Sequence, residues 1–447
     1  MSYNYLKFID FNSLDSWSVK RYIVNNINSK YKLVKLSYLI KERSKKVKLF
    51  KYPEKEFGIL GVNNKDGLFD AYAKKGKNIN QPYKKVYNGD LAYNPYRINV
   101  GSIGLKTDIL KNNFISPAYV VFYCNNKLKP AFLYKMFKTE TFNKIINDNT
   151  TGSVRQNLKF DSLANIRIPL PSIQKQEQIL KEYNDKISLA KRQEEEAKNL
   201  ENEIEEYLFN ELGIEKIEEK KEIKGYLHFV EFKDLDRWDT QYLIGNKPLI
   251  KSIYPLEKFS NIITNFNKNK NGKSIRINPN YYPNKKFLYI GMEHIEKETG
   301  NLLNKNFVYG KDIKSQSLQV PQNFILYGKL RPYLSKYWLN NLPCDDIICS
   351  AEFFVFDISK TVDKNYFINC LSSKFTQLQI NDKTSGARMP RINESIFKNL
   401  VFPLPPLEIQ EKIANEITKK KEKIKQLKQE AQKNRKLAIK EFHDQIF

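Results

Sequence analysis

The sequence predicts an α+β protein in which two pseudo-symmetric mixed α/β domains are separated by a long antiparallel two-helix coiled coil. One pattern of residues occurs twice along the chain of 447 residues. Each copy is followed by a long segment without Pro or Gly, at Ser172–Leu212 and at Leu407–Phe447. A chain of this length also exceeds the usual size of one domain, so two globular units are expected.

The two copies of the pattern keep the same spacing over long stretches. Asn165 to Pro171 (NIRIPLP) recurs as Asn399 to Pro405 (NLVFPLP), an offset of 234 residues. The same offset pairs further landmarks, which are SPAYVVF at 116–122 with SAEFFVF at 350–356, Tyr93 with Tyr327, and Arg97 with Arg331. Near the start of each copy the offset shrinks to 230 for Phe57 and Phe287, and to 223 for Leu33 and Leu256. Loop insertions in one of two related folds produce such drift, so the sequence indicates a duplication.

Each copy has mixed secondary structure and ends in a long helix. Short apolar runs predict strands at Ala118–Tyr123, Phe287–Ile290 and Phe353–Phe356. Continuous helices are predicted at Lys129–Ile146 and Asp363–Gln379. The predicted boundaries are 1–171 for the first domain, 172–222 for the first long helix, 223–405 for the second domain and 406–447 for the second long helix.

The two long helices carry the apolar seam of a coiled coil. The segments after Pro171 and Pro406 are rich in Glu, Lys, Gln, Leu and Ile, most of which favour helix, and a proline suits a helix start. Apolar residues recur at alternating steps of three and four, which is typical of a seam. The seam residues assigned to the helix or partner interface are Leu180, Ile187, Ile204 and Leu208 in the first helix, and Ile413, Ile417, Ile424 and Leu427 in the second.

Charge predicts the direction of helix pairing. Residues 194–206 are strongly acidic and residues 419–425 are strongly basic. An antiparallel arrangement brings these runs together, whereas a parallel one separates them, so antiparallel pairing is favoured. The alternative, in which each helix packs separately on its own domain, stays open at this point.

The excess positive charge belongs to the two domains. The net charge is +26, while residues 172–222 carry −6 and residues 406–447 carry +4, which leaves +28 for the remainder. Such a charge points to a polyanionic partner, usually nucleic acid. Abundant Lys, Asn, Ile and Tyr would also result from an AT-rich genome, so the charge alone is ambiguous, but its concentration on the domains favours nucleic acid.

No recognisable catalytic or cofactor motif is present. The four cysteines include no C-x-x-C pair and the three histidines lie far apart, which argues against a disulfide framework and a zinc site. The glycine loops of ATP and dinucleotide sites are missing. Asn94-Pro95-Tyr96 lacks one proline of the Asn-Pro-Pro-Tyr motif of amino-methyltransferases. Neither a signal peptide nor an apolar run of about 18 residues occurs, so we expect a cytoplasmic, non-catalytic protein that binds no cofactor, metal or membrane.

The two closing segments resemble those of the specificity subunits of type I restriction–modification enzymes. The first is Ile168–Pro171 followed by Gln176 and Glu177, and the second is Phe402–Pro406 followed by Gln410 and Glu411. The Thr151-Gly152 and Ser385-Gly386 turns, and Trp17 and Trp238 near the start of each copy, add to the resemblance. It covers essentially the whole chain. Each motif alone is weak, whereas their order, duplication and spacing are specific.

The resemblance implies a protein that recognises DNA without modifying it. Each domain would be a target recognition domain that reads one half of a bipartite site in double-stranded DNA. The helices would set the gap between the halves and dock two methyltransferase (M) subunits, which bind S-adenosylmethionine. Separate restriction (R) subunits, with ATP and Mg²⁺, would translocate and cut. A helix of about 40 residues spans roughly 60 Å, which corresponds to at most about 18 base pairs.

Candidate DNA contacts follow from residue type and position. Small turn residues allow a close approach to a phosphate, and Arg suits both phosphates and guanine edges. The residues near the two turns are Thr151, Gly152, Ser153, Arg155, Ser385, Gly386, Arg388 and Arg391. The equivalent arginines Arg97 and Arg331 are a second group. Asn63, Asn64, Glu293 and His294 follow the matched Gly61 and Gly291 and have side chains suited to base edges. For each arginine, a surface ion pair is the competing interpretation.

Three other functions compete with this one. A specificity subunit of a type IIB system, whose partner cuts beside the site without translocation, could have the same sequence features. A structural coiled-coil adaptor with no DNA role predicts no salt-dependent DNA affinity and does not explain two basic domains. A nuclease or methyltransferase in its own right is disfavoured by the missing motifs.

Overall fold

The computed structural model describes residues 27–150, 157–214, 251–344, 346–381, 384 and 389–447. The chain forms two compact units. The first unit consists of Met1–Glu194 with Lys428–Phe447, and the second unit is Glu195–Leu427. Each unit therefore combines one copy of the repeat with part of both long helices.

The first unit contains a five-stranded, a four-stranded and a two-stranded sheet. Its described strands are β1 (Leu33–Lys35), β2 (Ile40–Glu42), β3 (Lys46–Val47), β4 (Glu56–Asn63), β5 (Gly67–Lys75), β6 (Tyr83–Lys85), β7 (Leu91–Tyr93), β8 (Ile103–Leu105), β9 (Phe114–Ile115), β10 (Val120–Cys124) and β11 (Arg167–Pro169). The strand orders are β3-β6-β9-β4-β5, β2-β10-β7-β8 and β1-β11. The helices are α1 (Pro130–Met136), α2 (Glu140–Asn149), α3 (Phe160–Ala164) and α4 (Ile173–Leu212), of which α4 continues into the second unit.

The second unit repeats this plan strand for strand. Its described strands are β12 (Leu256–Lys258), β13 (Ile263–Thr264), β14 (Arg276–Ile277), β15 (Lys286–Ile290), β16 (Phe307–Tyr309), β17 (Ser317–Gln319), β18 (Ile325–Gly328), β19 (Tyr337–Leu339), β20 (Ile347–Ser350), β21 (Phe353–Ile358) and β22 (Val401–Pro403). The strand orders are β14-β17-β20-β15-β16, β13-β21-β18-β19 and β12-β22. The helices are α5 (Phe259–Ile262), α6 (Lys364–Ser372), α7 (Lys374–Asn381), α8 (Glu394–Lys398) and α9 (Leu407–Ile446), whose C-terminal part belongs to the first unit.

The two units also share their strand register. Tyr93 lies opposite Val120 in the first unit, and Tyr327 lies opposite Phe354 in the second. Both pairs differ by the offset of 234 found in the sequence. Leu33 lies opposite Pro169, and Leu256 lies opposite Pro403, which reproduces the smaller offset of 223 at the start of each copy. Because a slip of one residue would turn every side chain to the other face of its strand, the shared register confirms the duplication.

One prediction from the sequence is wrong in both units. The continuous helices expected at Lys129–Ile146 and Asp363–Gln379 are each divided in two. The division falls at Thr139 and at Ser373, whose hydroxyls accept from the N–H groups of Phe142 and Thr376 at 3.3 and 3.4 Å. A hydroxyl residue that caps a new helix competes with continuation of the preceding one. The predicted strands at β10, β15 and β21 are present.

The core of the second unit is centred on one aromatic ring. Phe397 is completely buried on α8. Five other rings surround it, with centroid distances of 5.0 Å to Tyr327 and Phe354, 5.4 Å to Phe259, 5.5 Å to Phe356 and 6.4 Å to Phe266. These partners come from two strands, the loop after β13 and a short helix, so one side chain joins the four-stranded sheet to the helices that cover it.

We expect Phe397→Ala to lower the free energy of unfolding by about 3–5 kcal/mol, because it opens a cavity among rings that cannot collapse fully. Chemical denaturation of the whole chain measures the loss. Phe307→Ala is the matched control, since Phe307 is 58% exposed on β16 of the same unit, and it should change stability by less than about 0.5 kcal/mol. An equal loss in the free energy of unfolding for the two variants would contradict the role of Phe397 as the centre of this core.

Candidate nucleic-acid interface and helix pairing

A buried glutamine joins each long helix to its domain. In the first unit Gln176 Nε2 donates to Pro171 O at 2.9 Å and to Lys127 O at 3.0 Å, while its Oε1 accepts from Lys129 N at 2.9 Å. In the second unit Gln410 Nε2 donates to Pro405 O at 2.8 Å and its Oε1 accepts from Asp363 N at 2.9 Å. Both glutamines are almost fully buried.

The glutamine contacts explain why the Pro-Leu-Pro and Gln-Glu motifs occur together. The side chain at the first turn of the long helix fixes the turn before it and the start of a helix packed beside it. Glu177 is more exposed and pairs with Lys129 at 2.5 Å, and Glu411 is exposed on α9. Gln176 and Gln410 therefore lie inside their units, whereas Glu177 and Glu411 face solvent.

In the first unit the start of α4 packs against the end of α9. The ring of Phe442 lies between Phe132 and Tyr183, with centroid distances of 5.5 and 5.8 Å. Polar pairs run in opposite directions along the helices, with Gln445 bonded to Glu182, Lys186 to Glu441 and Arg435 to Glu194 at 2.7, 3.1 and 2.7 Å. The residue numbers in α4 increase from pair to pair while those in α9 decrease, so the two helices are antiparallel. The hydrogen bonds from Arg435 lower the pKa of Glu194.

In the second unit the end of α4 packs against the start of α9. Glu203 pairs with Lys420 at 2.7 Å and Glu211 with Lys412 at 3.1 Å. The first of these pairs joins the acidic and basic runs that predicted the direction, so antiparallel pairing is confirmed here too. Each exposed pair contributes only about 0.2–1 kcal/mol, and most of the stability comes from the apolar seam.

The predicted seam residues lie along these contacts. Of the eight predicted seam residues, the four on α9 are buried in the part of that helix that belongs to the second unit. They are Ile413, Ile417, Ile424 and Leu427. Leu208 is also buried, and Ile204 packs against both the domain core and the cluster of Ala197, Ile424 and Leu427. In the first unit Leu180 packs against the core, while Ile187 is half-buried. The heptad spacing therefore identified the packed face of both helices.

Most of the predicted phosphate contacts fall on residues that the structure does not describe. Thr151, Gly152, Ser153, Arg155, Ser385, Gly386 and Arg388 lie outside the described residues. Arg391 is described and is exposed, with its guanidinium bonded to Glu352.

Arg97 and Arg331 occupy equivalent loops after β7 and β18 and are both exposed. Each loop is fixed by the same backbone bond, from Leu158 N to Pro95 O at 3.0 Å and from Ile392 N to Lys329 O at 3.1 Å. Arg331 has a φ of +49°, in the left-handed region that a side chain disfavours. The structure therefore presents an arginine from a constrained loop in each unit.

The residues predicted to face base edges lie beside these loops. In the first unit Asn63 closes the β4–β5 hairpin, where its Oδ1 accepts from Asp66 N at 2.6 Å. Lys138 Nζ bridges this hairpin to the Arg97 loop, at 3.4 Å from Asn64 O and 2.8 Å from Gly101 O. The hairpin tip and the loop are therefore neighbours.

In the second unit, too, a lysine links the arginine loop to the turn, but it is not the equivalent lysine. Lys336, at the end of the Arg331 loop, donates to Met292 O at 2.5 Å in the turn that carries Glu293 and His294. Glu293 is exposed, while His294 Nδ1 accepts from Gly291 N at 3.0 Å. In each unit a lysine side chain thus connects the backbone of the turn to the backbone of the arginine loop or extends to it from the end of that loop.

Sequence reasoning missed Lys138 and Lys336. Both connect the turn to the arginine loop, yet they are not equivalent in the offset of 234. One comes from the residues between α1 and α2, and the other directly precedes β19. No repeat signal could have identified them, because the same contact is made from different positions in the two copies.

Among the described residues no group of three His, Cys, Asp or Glu side chains could hold a metal ion. Burial raises the pKa of the Cys124 thiol to about 12 and also raises the pKa of the buried Cys349 and Cys370. In the part of the chain that the structure covers, no helix combines the length and apolar character needed to cross a membrane.

Comparison with known proteins gives a consistent result. Residues 258–435 match the family model of the type I restriction modification DNA specificity domain. The type I restriction enzyme MjaIX specificity subunit of Methanocaldococcus jannaschii is 25% identical over 303 residues, which are 66% of this chain and 62% of that protein. The alignment therefore covers less than two thirds of that relative. The type I restriction enzyme EcoDI specificity subunit of Escherichia coli is 25% identical over 337 residues, 71% of this chain and 68% of that protein.

A solved structure shares the fold. It concerns complex assembly and conformational transition of the type I R-M system, and the alignment has a TM-score of 0.56 at 13% identity. It covers 93% of this chain and 97% of that chain. At this identity the likeness shows the fold of both copies and not the chemistry of particular side chains.

We expect Gln410→Ala to lower the free energy of unfolding by about 2 kcal/mol, because it leaves the part-buried Asp363 N–H and the buried Pro405 carbonyl without their partner. Gln429→Ala is the control, since Gln429 is exposed on the same helix and has the same change in helix propensity. Thermal unfolding of both variants measures the difference. Similar unfolding midpoints for the two variants would show that Gln410 is not needed to hold α9 to its domain.

Proposed function

We propose that this chain is a type I restriction–modification specificity subunit, the non-catalytic subunit that selects the DNA target. The match of residues 258–435 to the DNA specificity domain and the two 25% identical specificity subunits support this assignment. Residues 1–171 and 223–405 are the two target recognition domains, and each reads one half of a bipartite site in double-stranded DNA. The segments 172–222 and 406–447, which contain α4 and α9, set the gap between the halves and dock two methyltransferase subunits. Restriction subunits complete the complex, which acts in the cytoplasm, and S-adenosylmethionine, ATP and Mg²⁺ bind to the partner subunits.

The main support for this proposal is that the two units have the same backbone arrangement but different polar side chains at equivalent positions. Strand order and register agree between the units. The first unit nevertheless has Asn63, the last residue of β4, and Asn64 where the second unit has Glu293 and His294 in the turn after β15. Amides suit adenine edges and a carboxylate suits the amino group of cytosine. Two equivalent frames with different polar side chains are suited to two half-sites of different sequence.

Charge and helix length support the same function. The excess of +28 outside the helical segments supplies cations for phosphates. The exposed Arg97 and Arg331 are proposed contacts to the DNA backbone, together with residues 151–155 and 385–388, which lie outside the described residues. Helices α4 and α9 have 40 residues each, or roughly 60 Å at ~1.5 Å per residue, long enough for two short half-sites and an unread gap.

Long-read methylation sequencing tests the proposal. DNA from cells that express this chain with a methyltransferase subunit of its own system should carry modified adenine in a motif of two short parts separated by a fixed gap. The chain alone and the methyltransferase alone are the controls, and neither should modify DNA. A soluble complex that methylates nothing, or methylates one unbroken motif, would contradict the two-domain arrangement.

Salt dependence separates DNA recognition from a purely structural adaptor. We expect the affinity of the complex for duplex DNA to fall by at least about tenfold between 50 and 200 mM salt, because bound lysines and arginines release counterions. Fluorescence anisotropy with a duplex that carries the methylated motif measures this. Affinity that is absent at low salt would support the adaptor instead.

A further inference from the structure

The second unit holds one arginine of its candidate interface in a fixed orientation. Arg391 Nε donates to Glu352 Oε2 at 3.1 Å and its Nη2 donates to Glu352 Oε1 at 3.0 Å. Both side chains are accessible, with 45% of Arg391 and 36% of Glu352 exposed. An ion pair this exposed contributes little to stability, so its geometry calls for another explanation.

Backbone bonds hold both partners of the pair. Lys329 N donates to Glu352 O at 2.8 Å, and Ile392 N donates to Lys329 O at 3.1 Å. Leu330 and Arg391 form an antiparallel bridge. The segments that carry Glu352, Lys329 and Arg391 therefore lie side by side. Because the backbone positions are fixed, the carboxylate needs to restrain only the arginine side chain.

The segments that carry Glu352, Lys329 and Arg391, here called the backbone frame, also adjoin the loop of Arg331. Arg331 N donates to Pro390 O at 2.7 Å, directly before Arg391. Arg331 and Ser335 both have left-handed φ values, of +49° and +45°. Strained backbone of this kind is concentrated at functional sites. Arg391 thus lies at the edge of the loop that already belongs to the proposed interface.

The first unit has the frame without the ion pair. At the offset of 234, Glu352 corresponds to Ala118, Arg391 to Asn157 and Lys329 to Pro95. The bond from Leu158 N to Pro95 O is present, but proline has no N–H with which to repeat the bond that Lys329 makes to Glu352. The pair is therefore a difference between two otherwise matched frames, which is where a difference between half-sites is expected.

We infer that Arg391 reads a guanine in the half-site of the second unit and that Glu352 is its positioning residue; this rests on the proposed function. Glu352 occupies the Nε edge of the guanidinium, which leaves the two terminal nitrogens with outward N–H groups. Those groups match the O6 and N7 acceptors of guanine in the major groove. Glu352 also offsets the charge of Arg391, which disfavours a phosphate and favours the neutral edge of a base.

The test uses the assembled complex with its methyltransferase and compares methylation motifs. Arg391→Lys keeps the charge and removes the planar fork, so it should reduce the preference for one guanine by about tenfold or more. Only one half-site should change. Glu352→Gln should weaken the same preference to a smaller extent while DNA affinity at low salt stays equal or rises, because a negative charge is removed from the interface.

Asp346→Asn is the matched control, since it removes the ion pair between Lys285 and Asp346, which is equally exposed in the same unit. It should leave the motif unchanged, and thermal unfolding should show that all variants are folded. A merely structural ion pair would lower the unfolding temperature of Arg391→Lys and Glu352→Gln without changing the motif.

The outcomes separate the inference from the proposed function. A wild-type bipartite motif that both variants preserve in full would overturn the inference alone. A uniform loss of affinity with the motif intact would assign Arg391 to a phosphate and would also overturn it. A folded wild-type complex without any bipartite motif would overturn the proposed function, and this inference with it.

Discussion

The hydrogen bonds of one buried glutamine in each unit hold together elements that are far apart in the sequence. Gln176 and Gln410 each bind the carbonyl of the proline turn before their helix and a backbone N–H at the start of another helix. A buried amide without partners would cost about 1–3 kcal/mol, so the helix can begin only where these groups meet it. The preceding strands β11 and β22 are paired with the first described strands of their copies. The start of the domain, its end and the start of the helix are thereby fixed together.

Antiparallel helix pairing then makes each domain depend on both helices. In the first unit Phe442 and Ile446, near the end of the chain, belong to the same core as Ile168 and Phe132. In the second unit Leu208 and Leu212 of α4 join Ile413 and Ile417 of α9 in one core. The first unit therefore combines residues that are far apart in the sequence. Such long-range contacts form late because loop closure precedes the gain from packing.

The sequence predicts the parts of this architecture that are periodic. The repeat offsets anticipated the register of paired strands, and the heptad spacing anticipated the buried Ile413 and Ile417. The breaks at Thr139 and Ser373 were missed, since a capping hydroxyl inside an apolar helical pattern is a weak local signal. The contacts of Lys138, Lys336 and Glu352 were missed for a different reason. They join residues distant in sequence from positions that are not equivalent, so neither periodicity nor duplication marks them.

The divergence of the two copies also reaches the interior. In the first unit Arg43 is bonded to the buried Asp90 and lies between the rings of Tyr87 and Tyr123, at 4.6 and 4.3 Å. At the position of Asp90 the second unit has the buried Phe324. One position of the repeat is therefore a buried carboxylate paired with an arginine in the first unit and a buried aromatic ring in the second.

The backbone around this substitution is unchanged. Arg43 N donates to Val121 O at 2.8 Å, and Asn267 N donates to the equivalent Val355 O at 2.7 Å. The main-chain bonds thus carry the fold, and side chains can change without moving the strands that hold them. The Arg43–Asp90 pair of the first unit and the Arg391–Glu352 pair of the second are two such side-chain differences, at different places on the matched backbones.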